Sequence, residues 1–378
     1  MNKYVKDLPT PAYVVDEALV EKNLMILKEV MDRTGCKILL AQKAFSMFSM
    51  YPQISSALCG TTASGLYEAR LGFEKFGKET HIFSPAYKEE EMEEILSYCD
   101  HIIFNSISQY ERFAPLVHEK GRECGLRLNP ECSTQDHGIY DPCAKGSRLG
   151  VTKSAFDFSH LEGIDGFHMH TLCEQNSDAL EETVVALEKK FGPYLSKVKW
   201  INLGGGHHIT RDDYDIDRLV SVILHLKETY DVDIYLEPGE AVVYQAGFLV
   251  AKVLELVKND ITTAILDTSA ACHMPDVLEM PYRPEVIGAS DPKTTSSPYT
   301  YRFAGPTCLA GDIIGDYGFE QPLSIGDTVI FTDMALYSMV KNNTFNGMPL
   351  PAIAIHTKEG VNKIVKTFGY HDFFERLS

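Results

Sequence analysis

The chain has 378 residues, enough for one large domain and a smaller one, and its 44% hydrophobic and 23% charged content is that of an ordinary folded enzyme. Asp and Glu number 53 against 35 Lys and Arg, and the net charge of −18 argues against nucleic acid or an anionic membrane surface as partner while suiting cationic substrates. Nine cysteines without a paired C-x-x-C indicate neither a disulfide framework nor a zinc knuckle, and with no signal-peptide core and no run of about 20 apolar residues the expectation is a cytoplasmic protein without a membrane span.

In chain order, Thr10-Pro11-Ala12-Tyr13-Val14-Val15 reads as a strand ahead of the first helix and is a candidate member of a second domain. Eight short apolar runs follow, at 37–42, 57–63, 80–84, 101–105, 124–129, 164–169, 198–203 and 233–237. Amphipathic stretches with apolar residues at three-and-four spacing accompany them, at 17–33, 67–76, 88–98, 108–120, 177–191 and 215–229. This alternation predicts an α/β fold, a (β/α)8 TIM-like barrel over 13–245. A doubly wound open sheet competes, but no G-x-G-x-x-G follows the first strand. Beyond 245 the rhythm turns β-rich, with runs at 247–257, 262–268, 299–303, 327–332, 352–356 and 361–367. Residues 246–378, with 1–12, are therefore expected to form an all-β domain.

A barrel gathers its active site at the C-terminal ends of its strands, so the residues there form one rim. That rim reads Lys43, Ser64, Pro85, Asn105, Asn129, then His168-Met169-His170-Thr171, Gly204-Gly205-Gly206-His207-His208 and Glu237-Pro238-Gly239-Glu240. Lys43 ends a run apolar enough to be buried on both faces. It is either a lysine that snorkels out at a strand end or a desolvated amine able to attack an aldehyde. The triple glycine and the Gly239 turn, at adjacent strand ends, are either tight turns or an anion cradle at the usual phosphate position of this fold. Glu237 would repel a phosphate unless the same ligand brought a proton to meet it, as a pyridinium nitrogen does. Pyridoxal 5′-phosphate carries an aldehyde, a phosphate and a pyridine, so one ligand accounts for all three features, with His168 placed to stack on its ring.

With Lys43, His168, Gly204-Gly205-Gly206, Glu237-Pro238-Gly239 and Gly305-Pro306-Thr307-Cys308 in chain order, the sequence resembles the barrel-fold pyridoxal-phosphate-dependent decarboxylases of basic amino acids, which share their fold with alanine racemase. Through His168-Met169-His170-Thr171-Leu172-Cys173-Glu174 and Cys308-Leu309-Ala310-Gly311-Asp312 it looks most like the branch acting on carboxynorspermidine and carboxyspermidine in polyamine biosynthesis. The resemblance implies that Lys43 holds the cofactor covalently, that His168 stacks on it and that Glu237 pairs with the pyridine nitrogen. Gly205, Gly206, Thr171, the amides around Gly239 and the Tyr337 hydroxyl would hold the phosphate, with Arg148 near phosphate or histidine. It further implies a homodimer with shared active sites, Cys308 coming from the partner subunit as catalytic proton donor. Asp312, Glu174, Arg283 and His273 are the candidate substrate contacts, Arg283 being able to bind the distal carboxylate of diaminopimelate, the alternative substrate.

Three departures from the family pattern stand out. Glu240 follows Glu-Pro-Gly where an arginine often grips phosphate, Leu309 rather than an aspartate follows Cys308, and Glu68 comes one position late after Ser64, so no role is carried onto it. Of the other classes, a metal-dependent barrel hydrolase using His168-x-His170 and His207-His208 leaves Lys43 and the glycine turns unexplained, and no metal is expected at the site. A non-catalytic cofactor-binding protein would be expected to lack the lysine or the cysteine, and both are present.

Overall fold

The structure, a computed structural model, describes residues 3–135 and 138–378. The chain divides into two compact units, Lys22–Val242 and the combination of Met1–Glu21 with Val243–Ser378. It opens with β1 (Ala12–Asp16) and α1 (Glu17–Thr34). In α1, Val20, Leu24, Leu27 and Val30 are buried while Glu21, Lys28 and Glu29 are exposed, the three-and-four spacing of a helix with one apolar stripe.

The larger unit is a closed barrel of eight parallel strands: β2 (Lys37–Ala41), β3 (Gly60–Ala63), β4 (Glu79–Phe83), β5 (His101–Phe104), β6 (Glu123–Arg127), β7 (Gly166–His168), β8 (Trp200–Asn202) and β9 (Asp233–Leu236). Pairing of Lys37 with Tyr235 joins the last strand to the first. Helices α2 (Tyr51–Ser55), α3 (Leu66–Lys75), α4 (Glu89–Tyr98), α5 (Ile107–Glu119), α6 (Ser177–Leu195) and α7 (Ile216–Tyr230) lie between the strands, and α8 (Glu240–Val243) follows the last. The helix α7 starts where the Asp215 carboxylate accepts the Arg218 amide and stops at Asp231, whose φ of 54° breaks the helical run.

Side chains of a barrel strand alternate between inside and outside, so every second residue builds the interior. Inward series therefore run Lys37-Leu39-Ala41 on β2, Glu79-His81-Phe83 on β4, Glu123-Gly125-Arg127 on β6, Gly166-His168 on β7 and Trp200-Asn202 on β8. The floor is an aromatic layer in which Trp200 stacks on His101 (4.9 Å between centroids) and His101 on His81 (4.0 Å). Gly166 makes room for the indole: a Cβ there would lie 2.0 Å from Trp200 Cδ2, so Gly166→Ala would overpack the floor by about 1–3 kcal/mol or more.

The second unit is a mixed eight-stranded sheet of β1, β10 (Gly247–Asn259), β11 (Ile261–Leu266), β12 (Tyr299–Ala304), β13 (Ile313–Phe319), β14 (Thr328–Thr332), β15 (Ala352–His356) and β16 (Asn362–Lys366). Tyr13, Leu249, Phe303, Tyr317 and Phe331 centre its core. The division at Glu21/Lys22 and Val242/Val243 differs from the expected boundaries at 13 and 245, because β1 pairs antiparallel with β10 and parallel with β15. The strand β13 was not expected: Gly315, Asp316 and Gly318 dilute its apolar pattern. Burial of Tyr317 and the twofold Arg302 to Asp316 contact, 2.7 and 2.9 Å, draw it into the sheet.

Candidate active site

At the mouth the inward series end together. Lys43, Phe83, Arg127, His168, His170 and Glu237 line one cavity, together with Ala41 and Thr62. Lys43 stands two residues past β2, and the Gly239 turn packs against that strand end: a Cβ on Gly239 would lie 2.5 Å from that of Ala44, and the Ala41 amide donates to Pro238 O at 3.2 Å. Lys43 is exposed to solvent as a residue, lines the cavity, and makes no hydrogen bond from its amine to a described residue. Burial lowers its pKa, the Arg127 guanidinium lowers it further, and Glu237, Glu240 and Cys173 only partly offset them.

Glu237 is fixed at both oxygens, Oε1 accepting from Asn202 Nδ2 at 2.7 Å and Oε2 lying 3.2 Å from His168 Nε2. Burial opposes its charge, but His168 and the Asn202 donor outweigh burial and hold the carboxyl at about 2. His168 is itself disfavoured as a cation by burial, so the pair carries one negative charge, on Glu237. Phe83 sets the tilt of the imidazole, at 5.5 Å and 17°, and His168 Nδ1, fully buried, has no hydrogen-bond partner. Arg127 lies with its guanidinium 4.5 Å from the centre of the Phe83 ring and donates to His170 O at 3.0 Å. Burial pushes its pKa down to about 10, with Arg148 close enough to add to the effect.

The glycine turn needs glycine at Gly206, where φ is +81° and a Cβ would meet Leu172 O at 2.1 Å. The amides of Gly206 and Gly239 make no hydrogen bond to another described residue and so keep a donor to spare. The Gly205 amide donates to His170 Nδ1 at 3.0 Å. The Thr171 hydroxyl is buried and donates to the Thr183 hydroxyl on α6 at 3.1 Å. Glu240 is occupied by His208 Nε2 at 2.6 Å, and this buried pair replaces the expected arginine. Glu174, at φ 55°, lines a neighbouring acid-rich groove with Asp178, Glu182 and Arg211.

The remaining expected residues belong to the sheet unit. Asp312 is buried and hydrogen-bonded at both oxygens: Oδ2 accepts from the Ser269 hydroxyl at 2.8 Å and the Thr307 hydroxyl at 2.7 Å, and Oδ1 from the Ala271 amide at 3.2 Å. These bonds brace the loop around Gly305. His273, in the short helix α9 (Ala270–His273), uses both nitrogens. Nδ1 accepts from the Thr268 hydroxyl at 3.0 Å and Nε2 donates to Pro349 O at 3.0 Å, while burial holds it neutral, its pKa down to about 4. Arg283 rests 4.9 Å from the Tyr317 ring centre, with Asp291 at 3.7 Å. Tyr337 has a φ of 53°, strained for an aromatic residue, and Cys308 is exposed, its amide held by Asn346 Oδ1 at 2.7 Å.

Several site residues escaped the sequence reading, namely Arg127, Asn202 and Phe83, while His170 was read at the rim without a role in the cofactor site. The signal that finds them is the period of two: counting back from each strand end by two reaches Arg127 and Asn202. Glu68, to which no role was assigned, accepts the Ser64 amide at 2.7 Å, and burial raises its pKa against the pull of that amide and of Lys43.

Pyridoxal phosphate requires an amine for its aldehyde, an anion for its ring nitrogen, a flat neighbour and donors for its phosphate. The neutral-leaning Lys43, the ionised Glu237, the His168 imidazole with its orphaned Nδ1 and the Gly206 and Gly239 amides fit those demands.

Comparison with known proteins agrees with that chemistry. The family profile described as "Pyridoxal-dependent decarboxylase, C-terminal sheet domain" matches residues 12–335. The chain is 43% identical to carboxyaminopropylagmatine decarboxylase of Synechocystis sp., over 100% of this chain and 97% of that protein. It is 40% identical to carboxynorspermidine/carboxyspermidine decarboxylase of Campylobacter jejuni, over 98% and 99%. The crystal structure of carboxynorspermidine decarboxylase complexed with norspermidine from Campylobacter jejuni superposes with a TM-score of 0.91 at 39% identity, covering 98% of this chain and 100% of that one. Diaminopimelate decarboxylase from Helicobacter pylori, complexed with L-lysine, superposes at 0.85 with 16% identity, a likeness of fold alone.

Proposed function

We propose, from the premise that this chain belongs to the pyridoxal-dependent decarboxylases, that it removes carbon dioxide from carboxynorspermidine or carboxyspermidine to give norspermidine or spermidine. The observation that carries this reading is full-length likeness, at 38–43% identity, to proteins acting on carboxylated polyamine chains, against 23–24% to diaminopimelate decarboxylases. The 43% identity to the Synechocystis protein favours a second substrate of the same type, a carboxylated aminopropyl chain ending in a guanidinium. Either chain is cationic, and Glu174, Asp178 and Glu182 supply carboxylates suited to it. Diaminopimelate would need a cation for its second carboxylate, and Arg283 already has Asp291 beside it.

Pyridoxal phosphate, when bound, supplies the sink for the electron pair that departing carbon dioxide leaves behind. Lys43 Nζ, its pKa lowered by burial and by Arg127, anchors the cofactor and later carries protons in product release. Glu237, its carboxylate kept in place by Asn202 and His168, would supply the negative charge that keeps a pyridine nitrogen protonated, and His168 would flank the ring. The amides of Gly206 and Gly239 bind the phosphate, joined by the Tyr337 hydroxyl as the resemblance implies. Buried His208 holds Glu240 by its 2.6 Å Nε2–Oε2 contact beside that cradle. Cys308 Sγ gives a proton to the former α-carbon.

In this reading the enzyme is a cytoplasmic homodimer, and Cys308 serves the partner's barrel. Exposure of Cys308 together with Leu309 and Phe345 supports an intersubunit role for that loop. Among the described residues no helix is long and apolar enough to cross a membrane. Carbon dioxide release from carboxynorspermidine, carboxyspermidine, carboxyaminopropylagmatine, diaminopimelate, ornithine and arginine, measured in parallel, tests the substrate. The carboxylated polyamines are expected to lead in kcat/KM by about 10²-fold or more, since a mismatched buried charge is penalised heavily. Preference for diaminopimelate would overturn the reading.

A further inference from the structure

Arg127 closes β6 as a buried cation, and among the described residues no carboxylate pairs with it. Its guanidinium donates to His170 O at 3.0 Å, lies 4.5 Å from the centre of the Phe83 ring and keeps donors to spare on the cavity that it lines. Glu237, the acid in its field, is taken up elsewhere, by Asn202 at 2.7 Å and His168 at 3.2 Å. An unmatched buried charge is strongly destabilising, so a guanidinium fixed by a ring on its face and a carbonyl at one edge is built to receive an anion.

The register of the barrel narrows the choice of anion. Arg127 is the strand partner of His168, and His168 that of Asn202, so the guanidinium stands in the layer of the two side chains that hold Glu237. The Gly206 and Gly239 amides follow the ends of β8 and β9, in the loops beyond that layer. A ligand with its ring nitrogen at Glu237 and its phosphate at the glycine turns therefore brings its ring, and not its phosphate, to the level of Arg127. The ring of pyridoxal phosphate carries one acidic substituent, a hydroxyl beside the aldehyde, on the side away from the phosphate arm. The substrate carboxylate is the competing anion. It is present for only part of each cycle and must depart uncharged, and a guanidinium gripping it would stabilise the ground state that has to be left. Charge counting agrees: Glu237 answers the proton on the ring nitrogen, and Arg127 remains to answer the ring oxygen.

We propose that Arg127 binds the ring hydroxyl of the cofactor as its phenolate, donating through the guanidinium edge that His170 O does not use. The inference rests on the proposed placement of pyridoxal phosphate between Lys43 and Glu237. It makes Arg127 a cofactor-binding residue, with Phe83 as the positioning residue that sets the plane of the guanidinium.

The test is equilibrium binding of pyridoxal phosphate, and of its analogue methylated on the ring hydroxyl, to the full-length protein stripped of cofactor with hydroxylamine. Absorbance and quenching of the single tryptophan, Trp200, report binding without turnover. Arg127→Gln should weaken pyridoxal phosphate at least about tenfold and should not weaken the methylated analogue, which offers no phenolate. Arg127→Lys, which keeps the charge and loses the planar fork, should fall between wild type and Arg127→Gln for pyridoxal phosphate. Should Arg127→Gln fail to fold, as judged by circular dichroism, Arg127→Lys carries the same comparison of the two ligands. Equal weakening of both ligands would assign Arg127 to the phosphate or to the shape of the cavity, and unchanged binding of both would leave it without a ligand on the cofactor; either result overturns the proposal. A wild type that binds neither ligand, or that carries its pyridoxyl group on a lysine other than Lys43 after borohydride, would overturn the placement of the cofactor and the proposal with it.

Discussion

At the barrel mouth, Lys43 Nζ makes no hydrogen bond to a described residue, His168 keeps Nδ1 unpartnered and the Gly206 and Gly239 amides keep a donor to spare. In the sheet unit, Asp312 accepts from two hydroxyls and an amide, and His273 uses both nitrogens. The same motif resemblance pointed to all of these residues. Spare bonding capacity separates them: groups that receive a ligand are held in position with atoms left over, whereas groups that brace a loop are spent.

The sharpest break of that contrast is Lys43→Met. Carbon dioxide release should fall below detection, and the cofactor-free protein should melt higher than the wild type near pH 7. A lowered lysine pKa means that folding disfavours the ammonium, so the penalty is present in full below the folded pKa and disappears as pH rises through the ordinary value of about 10.4. The stability gap should therefore close as pH approaches that value, as melting curves across pH will show. Equal melting points at pH 7 would mean a solvated, snorkelling lysine.

Asp312→Ala should act in the opposite sense. Leaving the Ser269 and Thr307 hydroxyls and the Ala271 amide unpaired costs about 2 kcal/mol, read as a lower denaturant midpoint, with KM unchanged. A raised KM at unaltered stability would return Asp312 to the substrate. Cys308→Ala should be the quietest in stability, within about 0.5 kcal/mol, because the side chain is exposed. Its effect should be in chemistry, as aberrant protonation or transamination detected by mass analysis of product formed in deuterated solvent. An unaltered product profile would remove Cys308 as donor.

The barrel was legible because each strand is a short run buried on both faces and each long helix carries one apolar stripe; the runs at 37–42 and 101–105 differ from β2 and β5 by a residue. Lys43, His168 and Glu237 were legible because strand ends face the mouth. Arg127 and Asn202 were not, since they stand one inward step below the ends that were read. The hydrogen bonds of Thr171, Asp312 and His273 were hidden for a different reason. Their hydrogen-bond partners, Thr183, Ser269, Thr307 and Pro349, are set by tertiary contacts that no local pattern reports. The Glu240 departure acquired its explanation only when His208 was found 2.6 Å away.

Reduction of the holoenzyme with borohydride, followed by peptide mapping, tests most directly that the amine ending β2 is the cofactor anchor. The expected result is bleaching of a yellow protein, with one pyridoxyl group per chain on the peptide containing Ala41-Gln42-Lys43-Ala44-Phe45. A pyridoxyl group on any other lysine, or a colourless protein that gains none when supplied with pyridoxal phosphate, would contradict it.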